Sequence, residues 1–132
     1  MKRILIAEDE MGIAQSLIEF LREEGYDARA VSNGQAAVQE HKKSLQSRPY
    51  QLILLDIVMP KMSGLEALSA IRKEEKLRGV PAEQSVPVIM LTGMQDSWIE
   101  DAFKDGCSDY VVKPYDLSFL MTKIKKMLGE LK

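Results

Sequence analysis

The segment LILLDIVMP (residues 52–60) decides the fold, because a buried strand and a turn meet within it. Its first four residues are aliphatic, which is typical of a strand that is covered on both faces of a sheet. The run then ends on Asp56, and Pro60 follows four residues later. A strand end has no structural need for a carboxylate, so the position of Asp56 suggests a functional site.

Short apolar runs alternate with helical patterns on both sides of this segment. The strands are predicted at residues 3–7, 28–31, 52–55, 88–91 and 110–112. The helices are predicted at residues 13–24, 34–45, 65–71, 97–105 and 117–131. The charged run at residues 72–78 reads as the solvated end of the third helix, and Gly79, Pro81 and Pro87 mark an irregular connection to the fourth strand.

Five β-α units of this size predict an α/β fold with a doubly wound, five-stranded parallel sheet and helices on both faces. The expected strand order is 2-1-3-4-5, as in flavodoxin-like folds, with a reversal of direction between the first and third strands. Ligands of such sheets bind outside the carboxyl ends of the strands at that reversal.

Composition restricts the other possibilities. The chain has 132 residues, which predicts one domain spanning residues 1–132. A net charge of −2 gives no footprint for nucleic acid or an anionic membrane surface. One cysteine excludes an internal disulfide and favours a reducing compartment, and no apolar run reaches the roughly 18 residues of a membrane span. We therefore expect a cytoplasmic protein.

Polar side chains follow four of the five predicted strands. They are Glu8, Asp9, Glu10, Asp56, Thr92 and Lys113. Carboxylates about 5 Å apart repel by roughly 3 kcal/mol at an effective dielectric near 20, and a hard divalent cation would relieve that repulsion. Magnesium accepts one or two carboxylates together with phosphate oxygens, and Lys113 and Thr92 suit a phosphoryl group. An aspartate in such a site can itself attack phosphorus.

With these residues in view, the chain resembles the receiver domains of two-component response regulators. The resemblance covers essentially all 132 residues. It is carried by ILIAEDE (residues 4–10), LILLDIVMPKMSGLE (residues 52–66), VIMLTG (residues 88–93) and DYVVKP (residues 109–114). Together these four motifs are specific, whereas DxxMP alone would not be.

The resemblance implies that Asp56 is the phospho-acceptor. It implies that Mg²⁺ (or Mn²⁺) is bound by Asp9, by Asp56 and by the backbone carbonyl of Val58. Glu8 would act through a water molecule, and many members of the family have Asp at this position.

Further roles follow from the same resemblance. Thr92 is expected to donate a hydrogen bond to a phosphoryl oxygen, and Gly93 leaves room for that group. Lys113 is expected to pair with Asp56 and then with the phosphoryl oxygens, and a cis peptide bond often precedes the position of Pro114. Tyr110 matches the aromatic switch position.

Two apolar positions suggest how long the phosphoryl group persists. Val58 lies two residues beyond the acceptor, and Met94 lies two residues beyond the switch threonine. In the family, side chains at these two positions influence the water molecule that hydrolyses the phosphoryl bond. Because neither side chain can orient water, slow self-dephosphorylation is expected. Trp98 lies on the face that family members use for output, and it is a candidate for core packing or for partner contact.

The resulting hypothesis is a phosphorylation-controlled signalling switch. A histidine kinase or a histidine phosphotransfer protein would donate the phosphoryl group. The surface formed by the fourth helix, fifth strand and fifth helix would pass the signal to a target protein or a fused effector. Phosphorylation-dependent dimerisation is a further option. Beyond self-catalysed acceptance and loss of the phosphoryl group, no enzymatic activity is expected. The alternatives are an Mg²⁺-dependent phosphohydrolase with an aspartate nucleophile and an unphosphorylated receiver-fold scaffold.

Two side chains that could carry chemistry are interpreted as structural. His41 is predicted to be a surface or boundary residue, because the sequence offers it no evident carboxylate or thiol partner. Cys107 is predicted to be a buried packing residue rather than a redox sensor.

Overall fold

The computed structural model describes residues 1–93 and 97–130, with only the backbone of residues 97–99 described. Its strands are β1 (Arg3–Ala7), β2 (Asp27–Val31), β3 (Leu52–Asp56), β4 (Val88–Thr92) and β5 (Asp109–Val112). Its helices are α1 (Met11–Glu23), α2 (Gly34–Ser44), α3 (Gly64–Leu77), α4 (Ser97–Lys104) and α5 (Leu117–Met127). A short 3₁₀ helix spans Ala82–Gln84 in the connection before β4.

The strands form one parallel sheet in the order β2-β1-β3-β4-β5, as the sequence predicts. The register pairs Ala7 with Leu55 and Asp56 with Leu91. The chain therefore reverses direction across the sheet between β1 and β3, and the ends of these two strands lie side by side. This is the place where a ligand site was expected.

Alternate side chains of each central strand enter different cores, because the side chains of a strand alternate between its two faces. In β3, Ile53 and Leu55 pack with α2, α3 and α4. Leu52 and Leu54 pack on the opposite face with α1 and α5. All four side chains are fully buried, which explains why the strand reads as a continuous apolar run.

Local sequence fixes where α3 begins. Ser63 Oγ accepts a hydrogen bond from the Glu66 backbone N–H, and Glu66 Oε1 accepts one from the Ser63 N–H, both at 3.2 Å. This capping box satisfies two backbone donors at the helix start. Gly64 follows directly, so the capping box places the first turn of α3 next to the end of β3.

The interpretation of residues 72–78 as a solvated helix end is wrong for Glu75, which is buried at 3% exposure. Its carboxylate accepts hydrogen bonds from Arg72 Nη1 and the Val86 backbone N–H, both at 2.8 Å. The sequence carried a signal for this, since Glu75 continues the apolar stripe of Leu68 and Ile71 at helical spacing.

The interpretation of His41 as a surface or boundary residue is also wrong. Its side chain is 1% exposed, and its Nε2 lies 3.8 Å from Glu75 Oε2. The partner comes from α3, 34 residues away along the chain, so sequence proximity could not reveal it. Cys107 is buried, as predicted.

None of the helices within residues 1–93 and 97–130 combines the length and the apolar character that crossing a bilayer requires.

Candidate functional site

Three carboxylates meet at the carboxyl edge of the sheet. Glu8 and Asp9 follow β1, and Asp56 is the last residue of β3. One oxygen from each lies within 4.8 Å of the others. Glu8 and Asp56 are buried, at 2% and 5% exposure, whereas Asp9 is exposed. Glu10, the remaining acid predicted at this edge, is exposed and is the N-cap residue of α1.

Lys113 brings a positive charge to these acids from the segment after β5. Its Nζ donates hydrogen bonds to Asp56 Oδ2 at 2.8 Å and to Glu8 Oε1 at 3.1 Å. Its backbone N–H donates to the Thr92 carbonyl at 2.7 Å, which fixes where the side chain begins. The Lys113–Pro114 peptide bond is cis.

The two buried acids are held by backbone groups as well. The Val58 N–H donates to Asp56 Oδ1 at 3.2 Å, and the Glu10 N–H donates to Glu8 Oε2 at the same distance. The Glu8 N–H donates to the Val31 carbonyl at 3.0 Å, which ties the site to β2. Both carboxylates are therefore oriented by the fold itself.

Burial and charge act in opposite directions at this site. Burial raises the pKa of Glu8, hydrogen bonds from Lys113 and Glu10 lower it, and the proximity of Asp56 raises it again, so that the pKa lies above its ordinary value. Burial alone would lower the pKa of Lys113, but the hydrogen bonds to Asp56 and Glu8 outweigh burial and raise it. Lys113 therefore stays charged in the presence of more carboxylates than it can neutralise.

The donor set fits a hard divalent cation. All three side chains offer carboxylate oxygens, which are the ligands that Mg²⁺ prefers. The carboxylates share the ammonium of Lys113, so negative charge remains at the site. Val58, whose backbone carbonyl is expected to bind the cation, lies two residues after Asp56 and is 69% exposed.

The remaining predicted residues are divided between the site and its flank. Thr92 ends β4 and is buried at 1% exposure, and Gly93 follows it at the surface. Tyr110 on β5 is half-buried, and its ring packs edge-on against Phe103 at a centroid distance of 6.1 Å. Met94 lies outside the described residues, as does the side chain of Trp98, whose backbone belongs to α4.

Two residues near this site, Lys123 and Gly34, were not among the predicted site residues. Lys123 Nζ pairs with Asp109 and lies 5.7 Å from the centre of the Tyr110 ring. Gly34, the first residue of α2, lies against the loop after Asp56. This contact joins segments nearly 30 residues apart, so no local sequence pattern could indicate it.

Comparison with known proteins agrees with this geometry. A family model described as the response regulator receiver domain matches residues 4–125. The transcriptional regulatory protein CrdR of Helicobacter pylori is 33% identical over 130 residues, which are 98% of this chain and 56% of that protein. The response regulator ArlR of Staphylococcus saprophyticus is 36% identical over 97% of this chain and 53% of its own length. The chain thus spans about half the length of these curated relatives.

Solved structures give the same result. Response regulator TrrA of Thermotoga maritima, solved in complex with Mg²⁺ and BeF, is 37% identical, with a TM-score of 0.77 over 97% of this chain and 100% of that one. The receiver domain of a sensor histidine kinase from Pseudomonas aeruginosa, solved with a coordinated magnesium ion, is 30% identical, with a TM-score of 0.77 over 97% and 98% of the two chains. The chain therefore belongs to the receiver domain family of two-component response regulators, which are phosphorylation-dependent signalling switches.

Proposed function

We propose that this chain accepts a phosphoryl group on Asp56 and signals by rearranging its α4-β5-α5 surface. The observation that carries the proposal is the pairing of buried Asp56 with Lys113 Nζ at 2.8 Å, beside two further carboxylates. A nucleophilic carboxylate needs nearby positive charge to approach an anionic phosphoryl donor, and this arrangement supplies it. Residues 1–132 would act as one receiver domain.

Asp9, Asp56 and the Val58 carbonyl would hold Mg²⁺ or Mn²⁺, with Glu8 acting through water. When bound, the cation offsets the charge of the carboxylates and of the incoming phosphoryl oxygens. The chemistry of the donor set supports this assignment, since every side chain in it is a hard oxygen ligand. The exposure of Asp9 gives the cation an open route to the site.

The transfer itself requires one bond to form and one to break. A carboxylate oxygen of Asp56 attacks phosphorus as the bond between phosphorus and the donor's imidazole nitrogen breaks. The nitrogen keeps the electron pair, and the product is an aspartyl phosphate. Lys113 would move its hydrogen bond from Asp56 Oδ2 to a phosphoryl oxygen, and Thr92 would donate to another while Gly93 leaves space.

The signal would travel from Thr92 to Tyr110. Movement of Thr92 toward the phosphoryl group would open space that the Tyr110 ring enters. The half-buried position of this ring, between Phe103 and Lys123, supports two alternative packings. Such a local change in charge that biases a two-state surface is a common form of switching. Trp98 of α4 would contact the partner.

The donor would be a histidine kinase or a histidine phosphotransfer protein, as expected for response regulators. The output would be a downstream target or a fused effector, with phosphorylation-dependent dimerisation as one form of it. The domain itself would not contact nucleic acid. A reducing cytoplasm, which the single cysteine favours, would be the compartment.

Loss of the phosphoryl group would be slow, because Val58 and Met94 are apolar and cannot orient an attacking water molecule. The decay of phosphorylated wild type and of Met94→Glu measures this directly. We expect faster decay in the variant, and an equal or slower rate in Met94→Glu would contradict this part of the proposal.

The central test is incubation with Mg²⁺ and acetyl phosphate or phosphoramidate. We expect a base-labile adduct that peptide mapping assigns to Asp56 and that does not form in the presence of EDTA. Failure to form any adduct would favour the unphosphorylated scaffold. Continuous turnover of the donor without an accumulating adduct would favour the phosphohydrolase.

A further inference from the structure

The first residue of α2 lies directly against the acceptor loop, which is defined here as residues 57–63 between β3 and α3. A Cβ atom at Gly34 would overlap the Met62 carbonyl oxygen and lie 3.0 Å from its carbonyl carbon. Both atoms belong to the backbone, so they cannot move aside by a change of rotamer. The close approach of α2 to this loop therefore depends on the absence of a side chain at Gly34.

The part of the loop that Gly34 touches has an unfavourable backbone conformation. The Met62 N–H donates to the Pro60 carbonyl at 2.7 Å, which closes a three-residue turn. Lys61, at the centre of that turn, has a φ of 67°, in the left-handed region that a residue with a side chain rarely adopts. Conformations of this kind persist only when surrounding contacts impose them.

The other end of the loop is fixed by a second glycine. A Cβ atom at Gly64 would overlap the Asp56 carbonyl oxygen and lie 2.7 Å from the Cα of Ile57. The Gly64 N–H donates to the Ile57 carbonyl at 2.7 Å. The loop is thus held at the acceptor by α3 and at Met62 by α2, and Val58 lies between these two contacts.

The start of α2 cannot easily withdraw from the loop. Asn33 Oδ1 accepts a hydrogen bond from the Ala36 N–H at 2.8 Å and caps the helix, and Ala37 in the first turn is fully buried in the core. The strand before the helix ends at Val31, whose carbonyl accepts from the Glu8 N–H. A side chain at Gly34 would therefore displace the acceptor loop rather than the helix.

We propose that Gly34 is a positioning residue for phosphoryl acceptance, because its lack of a side chain lets α2 hold the acceptor loop, with Val58, against Asp56. The inference rests on the proposed function of Asp56. Gly34 touches none of the reacting atoms and acts through the backbone of Met62.

The test compares Gly34→Ala with two controls. Gly12→Ala makes the same change in the first turn of α1, where a Cβ atom would meet nothing within 4 Å. Asn33→Ala removes the cap of α2 without adding an atom against Met62. In an isolated helix Ala is more favourable than Gly, so any loss in Gly34→Ala reports the contact with the loop rather than helix propensity.

Three measurements separate positioning from stability. We expect Gly34→Ala to lower the maximal rate of phosphorylation by phosphoramidate at least tenfold, with the half-saturating donor concentration changed less than twofold. We expect at least a fivefold weaker Mg²⁺ affinity by calorimetry without donor, and shifted amide resonances of residues 58, 59, 61 and 62 in the Mg²⁺-free protein. Asn33→Ala should lower the thermal midpoint but leave these three readouts near wild type, and Gly12→Ala should change none of them.

A folded Gly34→Ala protein with wild-type rate and Mg²⁺ affinity would overturn the inference, and so would an equal loss of rate in Asn33→Ala. If Gly34→Ala does not fold, the double variant Gly34→Ala/Lys61→Gly replaces it, because glycine at position 61 lets the loop move at low cost. The double variant should fold and accept phosphate slowly, and a wild-type rate in it would overturn the inference. Absence of an adduct in wild type would instead refute the proposed function, and the inference with it.

Discussion

The two ends of the parallel sheet each hold buried charge, but they hold it differently. At the carboxyl end, the carboxylates of Glu8 and Asp56 share the ammonium of Lys113, and exposed Asp9 adds another negative charge. At the amino end, buried Arg3 is matched group by group. Its Nε donates to Asp27 Oδ2 at 3.2 Å, and its guanidinium lies 4.2 Å above the Tyr50 ring.

The amino end satisfies its polar atoms within the chain. Arg3 Nη1 donates to the Arg48 carbonyl and Nη2 to the Tyr50 hydroxyl, which donates in turn to Glu40 Oε2 at 2.7 Å. Burial, together with this bond to Glu40, raises the pKa of Tyr50 and keeps the hydroxyl protonated. The amino end thus gives each buried polar group a partner whose removal would be costly, whereas the carboxyl end holds carboxylates in excess, as a group that could bind a cation would.

The largest expected effect is at the carboxyl end. Asp56→Asn should lower the rate of phosphorylation by acetyl phosphate at least a thousandfold, because an amide oxygen cannot form a stable acyl phosphate. The rate is measured by mass spectrometry in excess Mg²⁺, with Asp105→Asn, an exposed loop aspartate, as the matched control. Wild-type acceptance in Asp56→Asn would show that another residue is the acceptor.

At the amino end we expect a loss of stability without a loss of chemistry. Arg3→Ala should lower the free energy of unfolding by about 2 to 4 kcal/mol, because it leaves Asp27 and the Tyr50 hydroxyl without their buried partner. Urea denaturation measures this, and Arg3→Lys should lose less, since it keeps the charge but not the planar contacts. A change below about 0.5 kcal/mol, the size of an ordinary surface substitution, would show that matched charge contributes nothing here.

A third buried cluster, between α2 and α3, sharpens the comparison. Both oxygens of Glu75 accept hydrogen bonds, whereas neither ring nitrogen of His41 has a hydrogen-bond partner in the described part of the chain. Burial lowers the pKa of His41 below its ordinary value, although Glu75 opposes this. Unfolded chains therefore bind a proton at His41 that folded ones do not, over the pH window between the folded pKa and the ordinary value of 6.5.

The contribution of uncharged His41 to the free energy of unfolding should thus be fully present above about pH 6.5. It should be lost as the pH falls through that window, by up to about 1.4 kcal/mol per pH unit. His41→Leu should remove this part of the acid limb in urea denaturation at a series of pH values. The raised pKa of Glu8 gives an opposite trend, but it is common to both proteins and cancels in the difference. Identical pH profiles for wild type and His41→Leu would contradict the prediction.

The smallest effect returns to the excess charge at the carboxyl end. Without Mg²⁺, Asp9→Asn should raise the free energy of unfolding by about 0.5 to 1 kcal/mol, because it removes an exposed negative charge from a repulsive group. Addition of Mg²⁺ should stabilise wild type more than the variant, since a ligand of the native state shifts the folding equilibrium. A destabilised Asp9→Asn protein without Mg²⁺ would mean that the acids are already balanced.

The elements and the site were largely predictable, and the exceptions have a common cause. The strand order, the acids after β1, Asp56 at the end of β3, Thr92 at the end of β4 and Lys113 after β5 all follow from apolar runs that end in polar side chains. The sequence interpretation fails for His41 and Glu75 because a titratable residue on a helix reads as solvated until its partner is known. Both continue a buried stripe at helical spacing, Glu75 four residues after Ile71 and His41 four residues after Ala37, so the spacing was a usable signal for each.

The sequence by itself determined which chemical groups lie at the carboxyl edge, because the position of a residue at the end of a parallel strand is a local property. Only the tertiary structure decided which charges are matched. Lys113 pairs with Asp56, which is 57 residues away along the chain, and with Glu8, which is 105 residues away. Gly34 precedes β3 in the sequence, yet it contacts Met62, which follows β3. Charge pairing and close packing act through space over a few ångströms, so they depend on how the elements are brought together.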